Sequence, residues 1–376
     1  MHYTLHLTND CNMCCKYCYV NGENICTMSI DTAKKVVDIA AESKKSSVGI
    51  IFFGGEPLLN KNLIYETVEY CKWKEKSCST MFHYKITTNG LLLDDDFMDF
   101  STKVNLFIAM SHDGIKEAHD KNRIDKNGEG TYSRLSEKID LLLSKRSYAP
   151  VMMVVNHDTV QYYAESVKYL YNRGFKYLIC SLNYAGNWTE SSIKVLEQQY
   201  KDLAEFYYER TLAEDKFYLS PFEVKISSHI NKDTYCHERC ELGKKQISVG
   251  PDGLLYPCVQ FVGDKQYSIG DVNTGIDENK RLELYNINEQ EKESCLQCAI
   301  RERCNHYCGC LNKQTTGRID RVSPVLCAHE RTLMPIADKL ANKLFKKRSG
   351  MFIQKHYNDM FPLISLVEDS TKPRHK

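Results

Sequence analysis

Six short apolar runs alternate with amphipathic stretches over the first half of the chain, and this rhythm constrains the fold more than any other feature. The runs are HYTLHL, VGIIFF, HYKITT, NLFIAM, PVMMVV and KYLICSL. VGIIFF is apolar throughout, as a strand buried on both faces should be. Helical stretches lie between the runs. SIDTAKKVVDIAAESK carries Ala33, Val36, Val37 and Ala40 at helical spacing, with Ser29 or Asp31 available as a cap. A helix is predicted from about Asn60 to Glu75, and DDDFMDFSTK opens on acids that suit a helix N-terminus. Six successive β–α units imply a parallel sheet with helices outside. An open doubly wound sheet and a partial barrel both satisfy that pattern.

Charge excludes several partner classes. Fifty basic residues stand against 49 acidic ones, so no nucleic acid or other polyanion is implied. No apolar run approaches the ~20 residues that span a bilayer, and MHYTLHLTND lacks the layout of a signal peptide. A cytoplasmic protein is expected. In that compartment 17 cysteines point to metal binding or redox chemistry, not to a disulfide framework.

In parallel α/β folds the chemistry gathers at the carboxyl ends of the strands, and here those ends are unusual. The first run leads into Cys11-x3-Cys15-x2-Cys18. Iron–sulfur clusters normally take four cysteines; three could hold four irons and leave one open to a further ligand. Half of a zinc site is the plainer reading, and Cys14 offers a second triplet with Cys11 and Cys18. The second run ends in Gly54-Gly55-Glu56-Pro57, where glycines let backbone approach a ligand and Glu56 adds a carboxylate. The third ends in Thr87-Thr88-Asn89-Gly90, the fourth in Ser111-His112-Asp113-Gly114 with Arg123 nine residues on. Taken singly, each reads as a turn. Four in order do not. Nine more cysteines fall between 236 and 327, spaced Cys240-x12-Gly253-x4-Cys258, then Cys295-x2-Cys298-x5-Cys304-x3-Cys308, then Cys327. Zinc ribbons also fit those spacings.

Together CNMCCKYC, GGEP, TTNG and SHDG…KNR resemble the radical S-adenosylmethionine superfamily, over roughly residues 3–185. The resemblance implies a partial (β/α)6 TIM-like barrel. It implies that Cys11, Cys15 and Cys18 ligate a [4Fe-4S] cluster whose open iron takes the methionyl amine and carboxylate of S-adenosyl-L-methionine. Gly54, Gly55 and Glu56 would lie at the amine, Ser111 at ribose and Arg123 at the carboxylate. Tyr17 would lie near adenine, with Tyr184 a weaker adenine-side candidate. The implied chemistry is hydrogen abstraction by a 5′-deoxyadenosyl radical, the protein supplying orientation and exclusion of water.

The C-terminal cysteines, with VGPDGLLYPCVQFVGDKQYSIGDV, resemble the SPASM extension of peptide- and protein-modifying members. That implies two auxiliary [4Fe-4S] clusters, three in all. The nearer would use Cys240, Cys258 and Cys308, with Cys236 as the doubtful fourth ligand; if Cys236 does not bind, a substrate thiolate could take the open iron. The farther would use Cys295, Cys298, Cys304 and Cys327, and Cys310 is expected to be a spectator. The implied domains are a barrel at 1–190, a linking helix and bridge at 191–234, a SPASM domain at 235–335, and a C-terminal helix at 336–376 whose last residues, TKPRHK, are expected to be unstructured.

Sulfatase-maturing members carry a basic aspartate directly after the cysteine of the YPC segment, where this chain has Val259. YPC-x-QFVG is closer to thioether-forming peptide maturases. The leading expectation is therefore an enzyme that crosslinks a cysteine sulfur to carbon in a ribosomally made precursor peptide. Its electrons would come from a flavodoxin or ferredoxin, and Gln260 and Phe261 are candidate substrate contacts. No winged-helix leader-binding domain precedes the first strand of the sequence, so the precursor is expected to be recognised by the barrel and SPASM surfaces or by a separate leader-binding protein. The alternatives are a carbon–carbon crosslink, a formylglycine-type oxidation, or a non-catalytic multi-cluster electron carrier or zinc protein.

Overall fold

The computed structural model describes residues 1–20, 25–43, 45–231 and 239–371. The six strands form where the apolar runs lie: β1 (His2–His6), β2 (Ser47–Phe53), β3 (Met81–Thr88), β4 (Phe107–Ser111), β5 (Val151–Val155) and β6 (Tyr177–Leu182). Each lies parallel to the next. Spatial order follows chain order from β1 to β6. A doubly wound sheet reverses its order at a switch point; this one does not, which selects the partial barrel.

Between the strands run α1 (Ile30–Glu42), α2 (Lys61–Lys74), α3 (Asp95–Lys103), α4 (Lys116–Asn122), α5 (Ser136–Lys145) and α6 (Tyr163–Asn172). Their starts follow ordinary capping chemistry. The Ser29 hydroxyl accepts from the Thr32 N–H at 3.0 Å, and the Asp94 carboxylate accepts from the Phe97 N–H at 2.9 Å. Ala33, Val36, Val37 and Ala40 are fully buried against the sheet.

The sheet is larger than six strands. β7 (Tyr218–Leu219) lies parallel to β6, β8 (Gln246–Val249) parallel to β1, and β9 (Leu255–Tyr256) antiparallel to β8. The expected break between a barrel ending at 190 and a cysteine module starting at 235 is therefore bridged. The module supplies the strand that covers the open edge of β1, and Ile247 and Val249 bury their side chains there completely.

Among the described residues seven further α-helices follow: α7 (Glu190–Leu212), α8 (Ser220–Asn231), α9 (Glu278–Glu289), α10 (Gly309–Thr316), α11 (Pro324–Lys347), α12 (Gly350–Tyr357) and α13 (Phe361–Thr371). α11 packs against α7 and α8 and so ties the cysteine-rich part to the barrel. The Arg303 guanidinium adds a two-pronged contact to Asp338 of α11, at 2.8 and 2.5 Å. α13 returns to the amino ends of the strands, where the Tyr177 hydroxyl and Lys216 both bond Asp369. No helix among the described residues is long and apolar enough to cross a membrane. Cys236 and the tail beyond Thr371 lie outside the described residues.

Candidate functional site

The first cysteine loop leaves the carboxyl end of β1 and is fastened on two sides. The Gly55 N–H donates to the Thr8 carbonyl at 2.8 Å and the Glu56 N–H to the Asp10 carbonyl at 2.9 Å. From the other side, the Cys14 N–H donates to Ile124 and the Lys16 N–H to Asn122, at 2.7 and 2.9 Å. The glycine pair is required by this closeness. A Cβ on Gly54, whose φ is +132°, would meet the Thr8 oxygen at 2.3 Å, and one on Gly55 the Asp10 oxygen at 2.1 Å. The N–H groups of Gly55 and Glu56 are thus taken by the cysteine loop. The carbonyls of the glycine pair remain for a ligand.

Cys15 and Cys18 both stand close enough to Cys11 to interact with it electrostatically. The Cys11 sulfur also accepts from the Met13 N–H at 3.4 Å and the Asn89 amide at 3.7 Å. Burial pushes the Cys11 thiol up to about 12 and the Cys15 thiol up to about 11. Buried thiols of this kind give up their protons to a metal, not to water. Cys14 is exposed.

Glu56 is not free to meet a ligand through its side chain. It is fully buried and accepts three hydrogen bonds: Oε1 from the Leu58 N–H (2.9 Å) and the Thr88 hydroxyl (2.8 Å), Oε2 from the Asn89 N–H (2.7 Å). The carboxylate thereby joins the end of β2 to the end of β3. Asn89 carries the connection onward, donating to Asn12 Oδ1 at 2.7 Å.

Asp113, legible in sequence only as part of a turn, is a hub. Its Oδ2 accepts from the Tyr17 hydroxyl at 2.6 Å and pairs with Arg123 Nε at 3.0 Å, while Oδ1 accepts from the Val154 N–H at 3.0 Å. Burial opposes the charge on Arg123, but Asp113, Tyr17 and Cys15 outweigh it and raise its pKa. Ser111 ends β4 beside Met152 of β5, two residues before this hub. Tyr17 and Arg123 therefore meet at Asp113 beside the cysteine loop, and Ser111 ends the strand that leads to it. His6, at the end of β1, adds a buried imidazole whose Nε2 has no partner; burial pushes its pKa down to about 3.

The C-terminal cysteines form two groups. Cys240 has Cys308 and Cys258 as neighbours. Cys295 has Cys298 and Cys327, and Cys304 interacts with Cys295. The family resemblance implies these two ligand sets. Cys310, expected to be a spectator to both, is buried within the first group, its sulfur 3.4 Å from that of Cys308. Phe261 is fully buried and stacks on Tyr267 at 4.5 Å, so it belongs to the core and offers no surface to a substrate. Gln260 keeps a buried, unpartnered Oε1. Tyr184 bonds His329 Nδ1 at 2.8 Å, His329 Nε2 bonds Tyr200 at 2.8 Å, and Cys308 and Cys304 are among the neighbours of Tyr184. Tyr184 thus stands at the wall between barrel and cysteine groups.

Tyr19, which no motif singled out, links the two regions. Cys18, Cys258 and Cys310 all interact with its hydroxyl. A cavity of about 730 Å³ lies elsewhere, at the amino ends of the strands. Lys85, Phe107, Met152 and Ile179 line it, and Phe361 and Leu366 of α13 close it.

Comparison with known proteins agrees with this geometry. Residues 5–186 match the Radical SAM superfamily. The chain is 30% identical to an uncharacterized protein of Methanocaldococcus jannaschii, over 74% of this chain and 90% of the relative. It is 24% identical to a cysteine-type anaerobic sulfatase-maturating enzyme of Clostridium perfringens, over 80% and 86%. It is 26% identical to the antilisterial bacteriocin subtilosin biosynthesis protein AlbA of Bacillus subtilis, over 72% and 57%. The solved structure of anSMEcpe with bound AdoMet superposes with a TM-score of 0.79 at 20% identity, covering 91% of this chain and 99% of that one, and so shares the fold. The chain is an enzyme and belongs to the radical SAM superfamily.

Proposed function

We propose that this enzyme is a peptide maturase that joins a cysteine sulfur of a ribosomally made precursor to a carbon atom of the same peptide. The observation that carries the reading is the nearness of the first cysteine loop to the cysteine-rich half: Cys18, Cys258 and Cys310 all lie within electrostatic range of Tyr19. Making a C–S bond from C–H and S–H removes two hydrogens. One leaves as an atom, the other as a proton and an electron. The electron needs an acceptor beside the radical site, and the first C-terminal cysteine group is suitably near.

The residues fit the cofactors this reading requires. Cys11, Cys15 and Cys18 would hold a [4Fe-4S] cluster with one iron left for S-adenosyl-L-methionine. The carbonyls of Gly54 and Gly55 suit its amine, Arg123 its carboxylate, Ser111 its ribose, and the Tyr17 ring its adenine. Glu56 would act by holding the main chain in place, and Tyr184, bonded to His329, would wall the cavity. When bound and reduced, the cofactor supplies a carbon radical able to take hydrogen from an unactivated C–H. Cys240, Cys258 and Cys308, with Cys236, would hold one auxiliary cluster; Cys295, Cys298, Cys304 and Cys327 would hold the other. A flavodoxin or ferredoxin would deliver the electrons.

Val259 favours the thioether over formylglycine, because valine has no group that takes a proton. The second reading, oxidation of a sulfatase-type substrate, draws on the relatives named as sulfatase-maturating enzymes. Mass spectrometry of a cysteine-containing peptide encoded beside this chain, after anaerobic co-expression, separates the two. The thioether reading predicts loss of two hydrogens per link and cysteines that no longer alkylate. A product captured by a hydrazide would favour the second. Failure to release 5′-deoxyadenosine under strong reduction would overturn both.

A further inference from the structure

Cys310 is the one cysteine of the C-terminal region that the two ligand sets do not use, and its position is specific. Cys308 is the N-cap of α10 and has non-helical backbone angles, φ −74° and ψ 88°. Its side chain is therefore released from the helical pattern that would turn residues i and i+2 apart. The two sulfurs meet at 3.4 Å. Cys258 is a second neighbour of Cys310. Its other surroundings are the apolar cluster of Leu242, Tyr256, Phe261, Tyr267 and Ile319.

A separation of 3.4 Å is the reach of one S–H···S hydrogen bond. Thiolates sharing a single zinc ion stand about 3.8 Å apart, given metal–sulfur bonds of ~2.3 Å, and thiolates on separate irons stand farther still. Two sulfurs at 3.4 Å share a proton more readily than they share a cluster. A sulfur that binds iron can only accept, so if Cys308 is a ligand the proton in this pair belongs to Cys310, and the hydrogen bond is strengthened by the low dielectric.

We propose that Cys310 is a thiol donor to the cluster-bound sulfur of Cys308 and that it raises the reduction potential of the nearer auxiliary cluster. This rests on the reading that Cys240, Cys258 and Cys308 hold such a cluster. Reduction adds negative charge that spreads onto the sulfurs, so a donor to sulfur stabilises the reduced form more than the oxidised one. Cys310 is a positioning residue for electron transfer: it makes the cluster a better acceptor of the electron released when the C–S bond closes. It sits with Cys258 on the side that faces Tyr19 and Cys18.

The test uses the full chain, reconstituted anaerobically, with C310A, C310S and the ligand control C308A. Iron content and EPR-monitored redox titrations are the readouts, and the farther cluster is the internal reference. The expected result is about twelve irons in wild type and in C310A, four per cluster. The potential of the nearer cluster alone should move negative in C310A and recover in part in C310S, which retains a hydroxyl donor. Loss of four irons in C310A would make Cys310 a ligand and overturn the inference, as would an unmoved potential in both variants. Only about four irons in wild type would overturn the auxiliary-cluster reading itself, and the inference with it.

Discussion

Replacing Glu56 with glutamine tests whether this carboxylate is a clasp or a ligand-binding group. Its two oxygens accept from three donors, the Leu58 and Asn89 N–H groups and the Thr88 hydroxyl. A glutamine keeps one oxygen and replaces the other with an NH2. If the oxygen stays on Leu58 and Thr88, the new amide meets the Asn89 N–H, donor against donor. One buried donor is left unsatisfied, at a cost of about 1–3 kcal/mol. The loss is local, because Asn89 then loses its hold on the loop that carries Cys11. Hydrogen exchange at the Asn89 amide reads it directly. An opening free energy lowered by that amount raises exchange by about 5–150-fold, with far amides such as that of Leu178 unchanged. Glu56→Ala strands all three donors and should cost more. There is also a signature in pH. Burial pushes the Glu56 carboxyl up to about 7 from 4.5, against the pull of its three donors. A raised carboxyl contributes stability that is complete below 4.5 and is lost as pH rises through about 7; E56Q cannot titrate and should flatten that window. Exchange in E56Q equal to wild type, or equal costs for E56Q and E56A, would refute the clasp.

Asp113→Asn should leave Arg123 buried without its charged partner and cost about 3–5 kcal/mol, read as a lower urea midpoint. An unchanged midpoint would mean that the pair carries no net stability. Gly55→Ala drives a Cβ to 2.1 Å from the Asp10 oxygen; the cysteine loop must shift, and reconstituted iron should fall by about four per chain while the fold persists by circular dichroism. Full iron loading would show that the loop yields without consequence. Burial pushes His329 down to about 3 from 6.5, so its contribution to stability is full above 6.5 and is lost as pH falls toward 3. His329→Gln, which cannot charge, should lose part of the acid slope of unfolding, and an identical slope would contradict this.

Much of the scaffold was legible because it rests on local patterns. Six apolar runs became six strands, and Ser29 capped α1 as its position suggested. The C-terminal ligand sets came from the family resemblance, since Cys258 and Cys308, 50 residues apart, share no local pattern. Partners distant in sequence were not legible. Thr88 and Asn89 reach Glu56 across 32 and 33 residues, so GGEP read as a ligand loop when its carboxylate is a clasp. Asp113 looked like turn chemistry because its partners, Tyr17 and Val154, lie 96 residues back and 41 ahead. β8 is four residues long, too short for a strand period to stand out between cysteines. Cys310 was read as a spectator from its place two residues after Cys308; its burial against the Cys308 sulfur shows only in the fold.

The pairing of β8 with β1 has a consequence for how the chain comes into being. β1 leaves the ribosome before both strands that flank it, and β2 covers one of its edges within about 50 residues. Its other edge waits for Val249, roughly 200 residues later. At synthesis rates of about 5–20 residues per second that interval lasts on the order of 10–40 s. Throughout it, the strand that leads into the first cysteines presents an open row of peptide groups, the kind of edge that recruits foreign strands. A truncation after β6 would make that state permanent, and the nascent barrel depends on its own cysteine-rich half to end it.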